Sequence, residues 1–298
     1  MTYLMGIDIG STNIKAYIYD IKGNIVANGN KPTKVSYLNS ENKDWVYWDP
    51  EMIWENTIAV IIEAVKKVDY PEKIKGIAVT GFGQDGLPID KDGNWLYPFI
   101  SWHCSRTEPQ YQFLKTKIEA SKIFNITGRQ IMPIDTIYRI MWLKENHFEI
   151  YKKTDNWLML EDYINFKLCG NKVTDYSIAS TTSLLNLRKK IWSKDLIESV
   201  GIDVNILPKI ENSGKVIGKI TNNVSKLTGL KNNTLVVLGG HDCITASLAV
   251  GAFKKDTIMD ICGTWETILK TTQKPFLDNK AFNAGLTVEG HVLQNRYT

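Results

Sequence analysis

Two short segments of the sequence carry side chains suited to chemistry on a phosphate or a hydroxyl group. In the first, Asp8 closes a β-rich run and is followed by a small-residue turn, Gly10-Ser11-Thr12-Asn13. A turn of this kind between two strands exposes backbone N–H groups and hydroxyls, which bind phosphate where no helix N-terminus is present. It is neither a Walker loop nor a GxGxxG motif. A plain hairpin turn with Asp8 on the surface explains the same residues equally well.

The second segment is Gly239-Gly240-His241-Asp242, which lies between an apolar run and an alanine-rich run. An aspartate in the first turn of a helix, directly after two glycines, can stay ionised and face a cleft. Such a carboxylate is a natural general base toward a hydroxyl. Aspartate is also one of the best N-capping residues, so a simple helix cap is the alternative for Asp242.

A weaker copy of the first segment lies near the end of the chain, where Asp260 is followed by Gly263 and Thr264. Strand-like runs flank both turns. Two loops of this type, each with an acidic residue and a hydroxylated turn, are what a nucleotide held between two similar lobes requires. Either turn is a common string by itself, whereas the pair indicates a nucleotide site.

Polar groups suited to a polyhydroxylated ligand lie between these segments. Gln84 and Asp85 follow a β-branched run, and Trp102 follows a shorter apolar run. Amide and carboxylate groups hydrogen-bond sugar hydroxyls, while an indole face covers the apolar side of a sugar. Because the chain has nine tryptophans, an ordinary core position is the alternative for Trp102.

The cysteines and histidines indicate neither a zinc site nor a disulfide framework. The four cysteines lie far apart without a CxxC pair, and the four histidines lack metal-ligand spacing. Cys243 and Cys262 flank the suspected site, and each is interpreted as a small buried apolar residue. Reduced thiols of this kind fit a cytoplasmic protein best.

The elements that hold these segments alternate between strands and helices. The first forty residues favour two consecutive hairpins, and a helix follows with Asp49 as its N-cap and Pro50 at its first position. A buried strand is predicted at 74–81. Residues 106–200 have a mostly helical pattern, which predicts an inserted or cap region, and strands return afterwards. This order predicts an α/β fold.

Length and composition are those of a globular protein. The 298 residues include 36 Lys+Arg and 32 Asp+Glu, and the net charge of +4 without a basic run gives no indication of nucleic-acid binding. No window offers the roughly 18 apolar residues of a membrane span, and the N-terminus lacks the basic region of a signal peptide. We therefore expect a soluble intracellular protein that binds neither nucleic acid nor membrane.

In their order along the chain, these segments resemble the FGGY carbohydrate kinases, a branch of the sugar kinase, actin and heat-shock chaperone ATPase superfamily. The resemblance extends over essentially the whole chain. It implies an α/β, ribonuclease H-like lobe with a mixed central sheet flanked by helices. The stretches that carry it are GIDIGSTNIKAYIYD, VTGFGQDGLPIDKDGNWLYPFISWHCSRT, LEDYINFKLCGNKVTDYSIAS and LGGHDCITASLAVGA followed by GTWE.

The resemblance implies a role for each candidate residue. Asp242 becomes the catalytic base and also a sugar contact, together with Gln84, Asp85 and Trp102. Asp8 becomes the residue that holds Mg²⁺ through water. The residues implied to bind the ATP phosphates are Asp8, Gly10, Ser11, Thr12 and Asn13 in the first loop, and Gly263 and Thr264 in the second.

The implied activity is transfer of the ATP γ-phosphoryl group to a terminal hydroxyl of a ketose or related polyol. The segments FGQDG, ISWHCSRT and GTWE look more like those of L-fuculokinases and their relatives than those of xylulokinases or glycerol kinases. An L-fuculose-like sugar is therefore the expected substrate. Xylulose, glycerol and other polyols are the alternatives.

Family members carry a second lobe of comparable length. The resemblance therefore predicts that residues 1–254 form the N-terminal lobe and that residues 255–298 are an incomplete start of the ATP-binding lobe. A truncated kinase of this kind would bind sugar well and ATP poorly. The alternative is a non-catalytic half-kinase that senses a sugar or binds a partner. Exposed strands in residues 255–298 would also favour self-association, with a homodimer as one form.

Overall fold

A computed structural model describes residues 2–37, 45–254, 256–262 and 266–298, and it defines the strands of the fold. In these ranges they are, in chain order, β1 (Tyr3–Ile9), β2 (Asn13–Asp20), β3 (Ile25–Pro32), β4 (Ser36–Tyr37), β5 (Val46–Trp48), β6 (Ile74–Gly81), β7 (Gly86–Ile89), β8 (Phe99–Ile100), β9 (Asn156–Met159), β10 (Val173–Asp175), β11 (Leu185–Asn186), β12 (Ile191–Trp192), β13 (Lys209–Glu211), β14 (Val216–Lys219), β15 (Leu235–His241), β16 (Met259–Cys262) and β17 (Glu266–Leu269).

Helices predominate over strands in the chain between β8 and β15. Short 3₁₀ turns occur at Pro71–Lys73, Ser105–Thr107 and Val204–Ile206. The α-helices in the described ranges are α1 (Pro50–Val65), α2 (Glu108–Lys117), α3 (Ala120–Thr127), α4 (Thr136–Asn146), α5 (Phe148–Lys153), α6 (Leu160–Cys169), α7 (Tyr176–Ser180), α8 (Lys194–Ser199), α9 (Asn222–Thr228), α10 (Asp242–Ala249) and α11 (Asn279–Asn283). None of the described helices combines the length and apolarity that crossing a bilayer requires.

A six-stranded mixed sheet in the order β14-β15-β6-β1-β2-β3 forms the centre of the fold. Strands β1, β6 and β15 are parallel to one another. Strand β2 runs antiparallel to β1, β3 to β2, and β14 to β15. The two hairpins predicted for the first forty residues are confirmed, because β1, β2 and β3 pair in sequence. The α/β fold with a mixed central sheet is confirmed as well.

Helix α1 packs against one face of this sheet. As predicted, Pro50 is its first residue and Asp49 its N-cap, with Asp49 Oδ1 accepting hydrogen bonds from the backbone N–H of Glu51 (2.9 Å) and Met52 (3.4 Å). Ile53 and Ile61 on the buried side of α1 belong to the same apolar core as the sheet. The helix is thus specified by its cap and by burial of one apolar face.

The predicted helical region contains α2 to α8 and has an apolar core of its own. A third apolar cluster joins it to the last described residues and contains Phe124 together with Leu277, Val288 and Tyr297. Strands β16 and β17 pair with each other in a two-stranded sheet apart from the central one. The division of the chain at residue 254 stays a prediction, and the residues after β17 pack back onto the helical region.

Candidate active site

The carboxyl ends of the three parallel strands meet at one edge of the sheet. The register places Ile9 of β1 opposite Gly81 of β6, and Gly81 opposite His241 of β15. Asp8 and Asp242, predicted from distant segments, are therefore brought to the same edge. Ligands of open α/β sheets bind outside the carboxyl ends of the strands. We therefore expect a ligand-binding site at this edge of the sheet.

Two consecutive glycines set the direction in which β15 leaves the sheet. The register with β6 shifts between Leu238 and Gly240. A Cβ on Gly239 would lie 2.0 Å from the carbonyl oxygen of Val79. Gly240 has φ of +140°, and a Cβ there would lie 2.6 Å from Ser177 Oγ. Only glycine fits this bulge. The bulge delivers His241 and Asp242 to the edge.

Asp242 is the first residue of α10, and His241 stands at the N-cap position. Asp242 Oδ1 accepts a hydrogen bond from the backbone N–H of Cys243 at 2.6 Å. Its side chain keeps 38% of its surface exposed and lines a cleft. The carboxylate therefore does not occupy the capping position that was the alternative for it. It faces the ligand space.

Asp8 lies across the edge from Asp242. Burial raises the pKa of Asp8, the charge of Lys15 opposes this, and the negative charge of Asp242 raises the pKa further. Lys15 Nζ is 3.6 Å from Asp8 Oδ2. Two carboxylates that influence each other across an open cleft are suited to share a cation or its hydration shell.

The turn after β1 is fastened to its neighbours by backbone bonds. The N–H of Gly10 donates to the carbonyl of Asn13 (3.0 Å), and a Cβ on Gly10 would meet the same oxygen at 2.8 Å. Thr33 donates from its N–H to the carbonyl of Thr12 (2.9 Å) and from its hydroxyl to that of Gly10 (2.7 Å). Ser11 and Thr12 stay exposed, and Ser11 lines the cleft. These bonds fasten the turn to the residue after β3 and leave the hydroxyl-bearing Ser11 and Thr12 at the surface.

Gln84 has an unusual backbone for a residue with a side chain, with φ of +71°. Its N–H donates to Thr181 Oγ1 at 3.1 Å, and its carbonyl accepts from Thr136 Oγ1 at 2.7 Å. Such a conformation is costly, and it persists here because bonds on both sides fix it. The result is an amide side chain held toward the cleft.

Asp85 and Trp102 were both predicted to contact the ligand, and the structure gives them different positions. Trp102 lines the cleft. Asp85 is fully buried beneath it, where Oδ2 accepts from Trp48 Nε1 (2.7 Å) and from the backbone N–H of Trp102 (3.0 Å). Arg139 Nη2 lies 3.3 Å from Oδ1. Asp85 thus holds the backbone of Trp102 from below through Oδ2, and its direct contact with a ligand stays a prediction.

Sequence reasoning missed a buried ionic chain that ends at His241. Arg129 forms ion pairs with Asp135 (2.7 Å) and Glu289 (2.5 Å), and Glu289 Oε2 lies 2.9 Å from His241 Nδ1. Although burial opposes it, His241 and Arg129 hold the pKa of Glu289 well below its usual range. The residues come from distant parts of the chain, so no local pattern signals them.

These residues surround one cleft of about 530 Å³. Its polar side carries Ser11, Gln84 and Asp242, and its apolar side includes Trp102 and Leu286. The volume and the mixed lining suit a small polar ligand. Gly263 and Thr264, the predicted second phosphate loop, lie outside the described residues. Cys262, interpreted as buried, is exposed at the end of β16.

A carboxylate pair at the carboxyl edge of a mixed sheet, beside a hydroxylated turn, defines an α/β protein with a cleft suited to a small polar ligand. Residues 3–249 match the model of the FGGY family of carbohydrate kinases, N-terminal domain. The chain therefore belongs to the FGGY family.

Several characterised proteins are similar to this chain. L-fuculokinase from Escherichia coli K12 is 32% identical over 266 residues, which are 89% of this chain and 56% of that protein. Xylulose kinase from Bacillus subtilis is 29% identical over 295 residues, which are 96% of this chain and 57% of that protein. The chain thus spans somewhat more than half the length of these relatives.

Solved structures give the same result for the fold. The ligand-bound xylulose kinase from Lactobacillus acidophilus superposes with a TM-score of 0.91 at 27% identity, over 100% of this chain and 59% of that one. The gluconate kinase from the same organism also gives a TM-score of 0.91 at 27% identity, over 99% of this chain and 58% of that one. The central sheet and the helices around it are those of sugar kinases.

Proposed function

We propose that this chain is the sugar-binding and base-carrying part of an ATP-dependent carbohydrate kinase. The reaction is transfer of the ATP γ-phosphoryl group to a terminal hydroxyl of a ketose or related polyol. The observation that carries the proposal is Asp242, half-exposed in a cleft beside Gln84 and Trp102 and facing Asp8. L-fuculokinase among the similar proteins favours an L-fuculose-like substrate.

Asp242 acts as the general base in this proposal. The sugar hydroxyl oxygen forms a bond to the γ-phosphorus, the bridging P–O bond breaks, and ADP leaves with the electron pair. The hydroxyl proton passes to the Asp242 carboxylate. A positioned base of this kind contributes on the order of 10²–10⁴-fold to the rate.

The first loop serves the phosphates of ATP. We propose Gly10, Ser11, Thr12 and Asn13 as the phosphate loop, in which Gly10 closes the turn on the carbonyl of Asn13 and the other three residues supply polar groups. Asp8 offers hard, partly exposed carboxylate oxygens, the donors that Mg²⁺ prefers, and it holds the ion through water. Mg²⁺ supplies neutralisation of the phosphate charge. Gly263 and Thr264 are proposed for the second phosphate loop on the resemblance alone.

Sugar contacts are assigned to Gln84 and Trp102, with Asp85 acting on the position of Trp102. Gln84 supplies an amide for hydroxyl groups, and the Trp102 ring covers an apolar side of the sugar. We also place the protein in the cytoplasm. This location is supported by the use of ATP and by four cysteines that are all free thiols.

The test is the Asp242→Asn variant, with Asp92→Asn on an exposed turn as the matched control. Sugar-dependent ADP formation is measured with L-fuculose, D-xylulose and glycerol, and sugar binding is measured by calorimetry. We expect Asp242→Asn to lose on the order of 10²–10⁴-fold in turnover while sugar binding persists. The control keeps its activity.

Two outcomes would contradict the proposal. Unchanged turnover in Asp242→Asn would reduce Asp242 to a structural residue. Absence of sugar binding to the parent chain would contradict the assignment of the cleft to a sugar.

A further inference from the structure

Three consecutive residues at the start of α10 present three different metal-binding atoms. His241 offers a ring nitrogen, Asp242 a carboxylate oxygen and Cys243 a sulfur, and these atoms lie within 4.8 Å of one another. His241 Nε2 is 3.5 Å from Cys243 Sγ and 3.6 Å from Asp242 Oδ1. All three residues line the cleft.

These separations are close to those of a tetrahedral zinc site. Zinc bonds of about 2.0 Å to nitrogen and oxygen and about 2.3 Å to sulfur place a nitrogen and a sulfur ligand about 3.5 Å apart, and a nitrogen and an oxygen ligand about 3.3 Å apart. The N–S separation already has the required value, and the N–O separation needs a shift of a few tenths of an ångström. The bulge and the first helical turn therefore bring the three ligand atoms together, and Cys243 Sγ, which also lies 3.7 Å from Nδ1, has to turn toward Nε2 to complete the site.

A second observation concerns the other nitrogen of His241. Nδ1 faces Glu289 Oε2 at 2.9 Å, and Arg129 holds Glu289 from behind. Histidines that bind metals almost always pair their second nitrogen with a carboxylate or a carbonyl in this way. The pairing holds the ring through Nδ1 and leaves Nε2 for a metal ion, 3.6 Å from Asp242 Oδ1. Glu289 is thus in the position of an orienting carboxylate.

We propose that His241, Asp242 and Cys243 form a binding site for Zn²⁺ that switches off phosphoryl transfer. The inhibitory part of this inference rests on the proposed role of Asp242 as base, since a carboxylate bound to zinc no longer accepts the hydroxyl proton. The fourth zinc position faces the cleft and takes water. Cys243 makes the site selective for Zn²⁺ over Mg²⁺, because thiolates prefer zinc-like cations whereas Mg²⁺ prefers oxygen ligands.

The binding step involves no oxidation. Zn²⁺ displaces the thiol proton of Cys243 and any proton on His241 Nε2, and both are released to solvent. The Nδ1 hydrogen of His241 stays with Glu289. Removal of the ion by a chelator reverses the step and restores the base.

The first arm of the test measures metal binding without reference to activity. Cd²⁺ is titrated into the chain and its thiolate charge-transfer absorption is recorded, and Zn²⁺ affinity is obtained by competition. We expect this absorption band in the parent chain and its loss in Cys243→Ser. The matched control is Cys169→Ser, which lies outside the cleft and should keep the band. Glu289→Gln should weaken Zn²⁺ binding about 10- to 100-fold. Circular dichroism verifies that each variant is folded.

The second arm measures turnover at fixed free Zn²⁺ in a metal buffer, because ATP itself binds zinc. Inhibition is expressed relative to the metal-free rate of each variant, and Cys243→Ser should need at least about 10-fold more Zn²⁺ than Cys169→Ser for half inhibition. A band that is absent, or that persists in Cys243→Ser, would overturn the site. Zinc bound at this site without inhibition would overturn the switch. Loss of the band in Cys243→Ser from a chain that binds no sugar would support the metal site and refute the proposed function.

Discussion

Three aspartates around the cleft differ in what their surroundings allow them to do. Asp242 is partly exposed and lines the cleft, and Asp8 lies opposite Asp242 at the ends of the strands. Burial raises the pKa of Asp85 to about 6, although Arg139, Trp48 and Trp102 all favour its charged form. The residue type alone suits all three to ligand binding. Burial suits Asp85 instead to holding Trp102 in position.

Asp85 and Arg139 form a buried ion pair that supports the floor of the cleft. Arg139 also donates from Nε to the carbonyl of Ile100 at 2.9 Å. We expect Asp85→Asn to destabilise the fold by about 3–5 kcal/mol, because it leaves a buried guanidinium without its counter-ion. Arg139→Met should have a similar cost.

A double-mutant cycle in urea measures the coupling in this pair. Asp85→Asn with Arg139→Met should cost clearly less than the sum of the single variants, with a coupling of about 1–3 kcal/mol. Additive losses would mean that the 3.3 Å contact carries no interaction energy.

Single residues could be predicted where chemistry and local spacing coincide. Asp8 and Asp242 stand out because each closes a strand-like run beside small residues, and both reach the same edge. Arg129 and Glu289 could not be found this way, because they are 160 positions apart and meet only in the folded chain. The zinc site was missed because its ligands are consecutive and do not follow the usual spacing of zinc ligands.

Elements with a strong period were predictable, and elements held by distant contacts were not. Alternation along β1 and β2 and the cap of α1 are local signals, and both gave the correct structure. The last described residues contain one short helix, α11, and owe their position to contacts such as the N–H of Val288 with the carbonyl of Gly128 (2.7 Å). Long-range contacts of this kind leave no periodic pattern.

His291 joins the C-terminal segment to α10 as a neutral ring. The N–H of Leu293 donates to its Nδ1 at 2.9 Å, while Ser247 and Thr271 place hydroxyl oxygens 3.3 and 3.2 Å from Nε2. Both hydroxyls donate to main-chain carbonyls, so they accept from Nε2–H. Protonation of Nδ1 would place two donors face to face. Burial, assisted by Arg296, accordingly lowers the pKa of His291 to about 4.

This packing predicts a pH dependence of stability. An unfolded histidine has a pKa of about 6.5, so the contribution of neutral His291 is complete above that pH and is lost as the pH falls toward 4. The loss amounts to at most about 3 kcal/mol. Urea unfolding between pH 7 and pH 4 should show a flatter profile for His291→Gln than for the parent chain or for His147→Gln. Parallel profiles for all three would contradict the assignment.

At the scale of the whole molecule, Arg129 is where three parts of the chain meet. It follows α3 in the helical region, its partner Glu289 belongs to the C-terminal segment, and Glu289 in turn contacts His241 at the end of β15. The edge of the sheet that carries Asp242 is therefore held by a buried ionic chain as well as by the sheet. Buried charges of this kind are costly when one partner is removed.

Arg188 provides a comparison for Arg129, because it also joins the helical region to the C-terminal segment. It donates to the carbonyl oxygens of Asn125 (3.2 Å) and Leu277 (2.9 Å) and not to buried carboxylates. We expect Arg129→Met to lower the free energy of unfolding by about 3–5 kcal/mol, since Asp135 and Glu289 would lose their cation. Arg188→Met should cost about 1 kcal/mol, the net value of ordinary hydrogen bonds. Urea titration measures the free energy of unfolding of both variants. Equal decreases in this free energy would show that the ionic chain does not hold the three parts together.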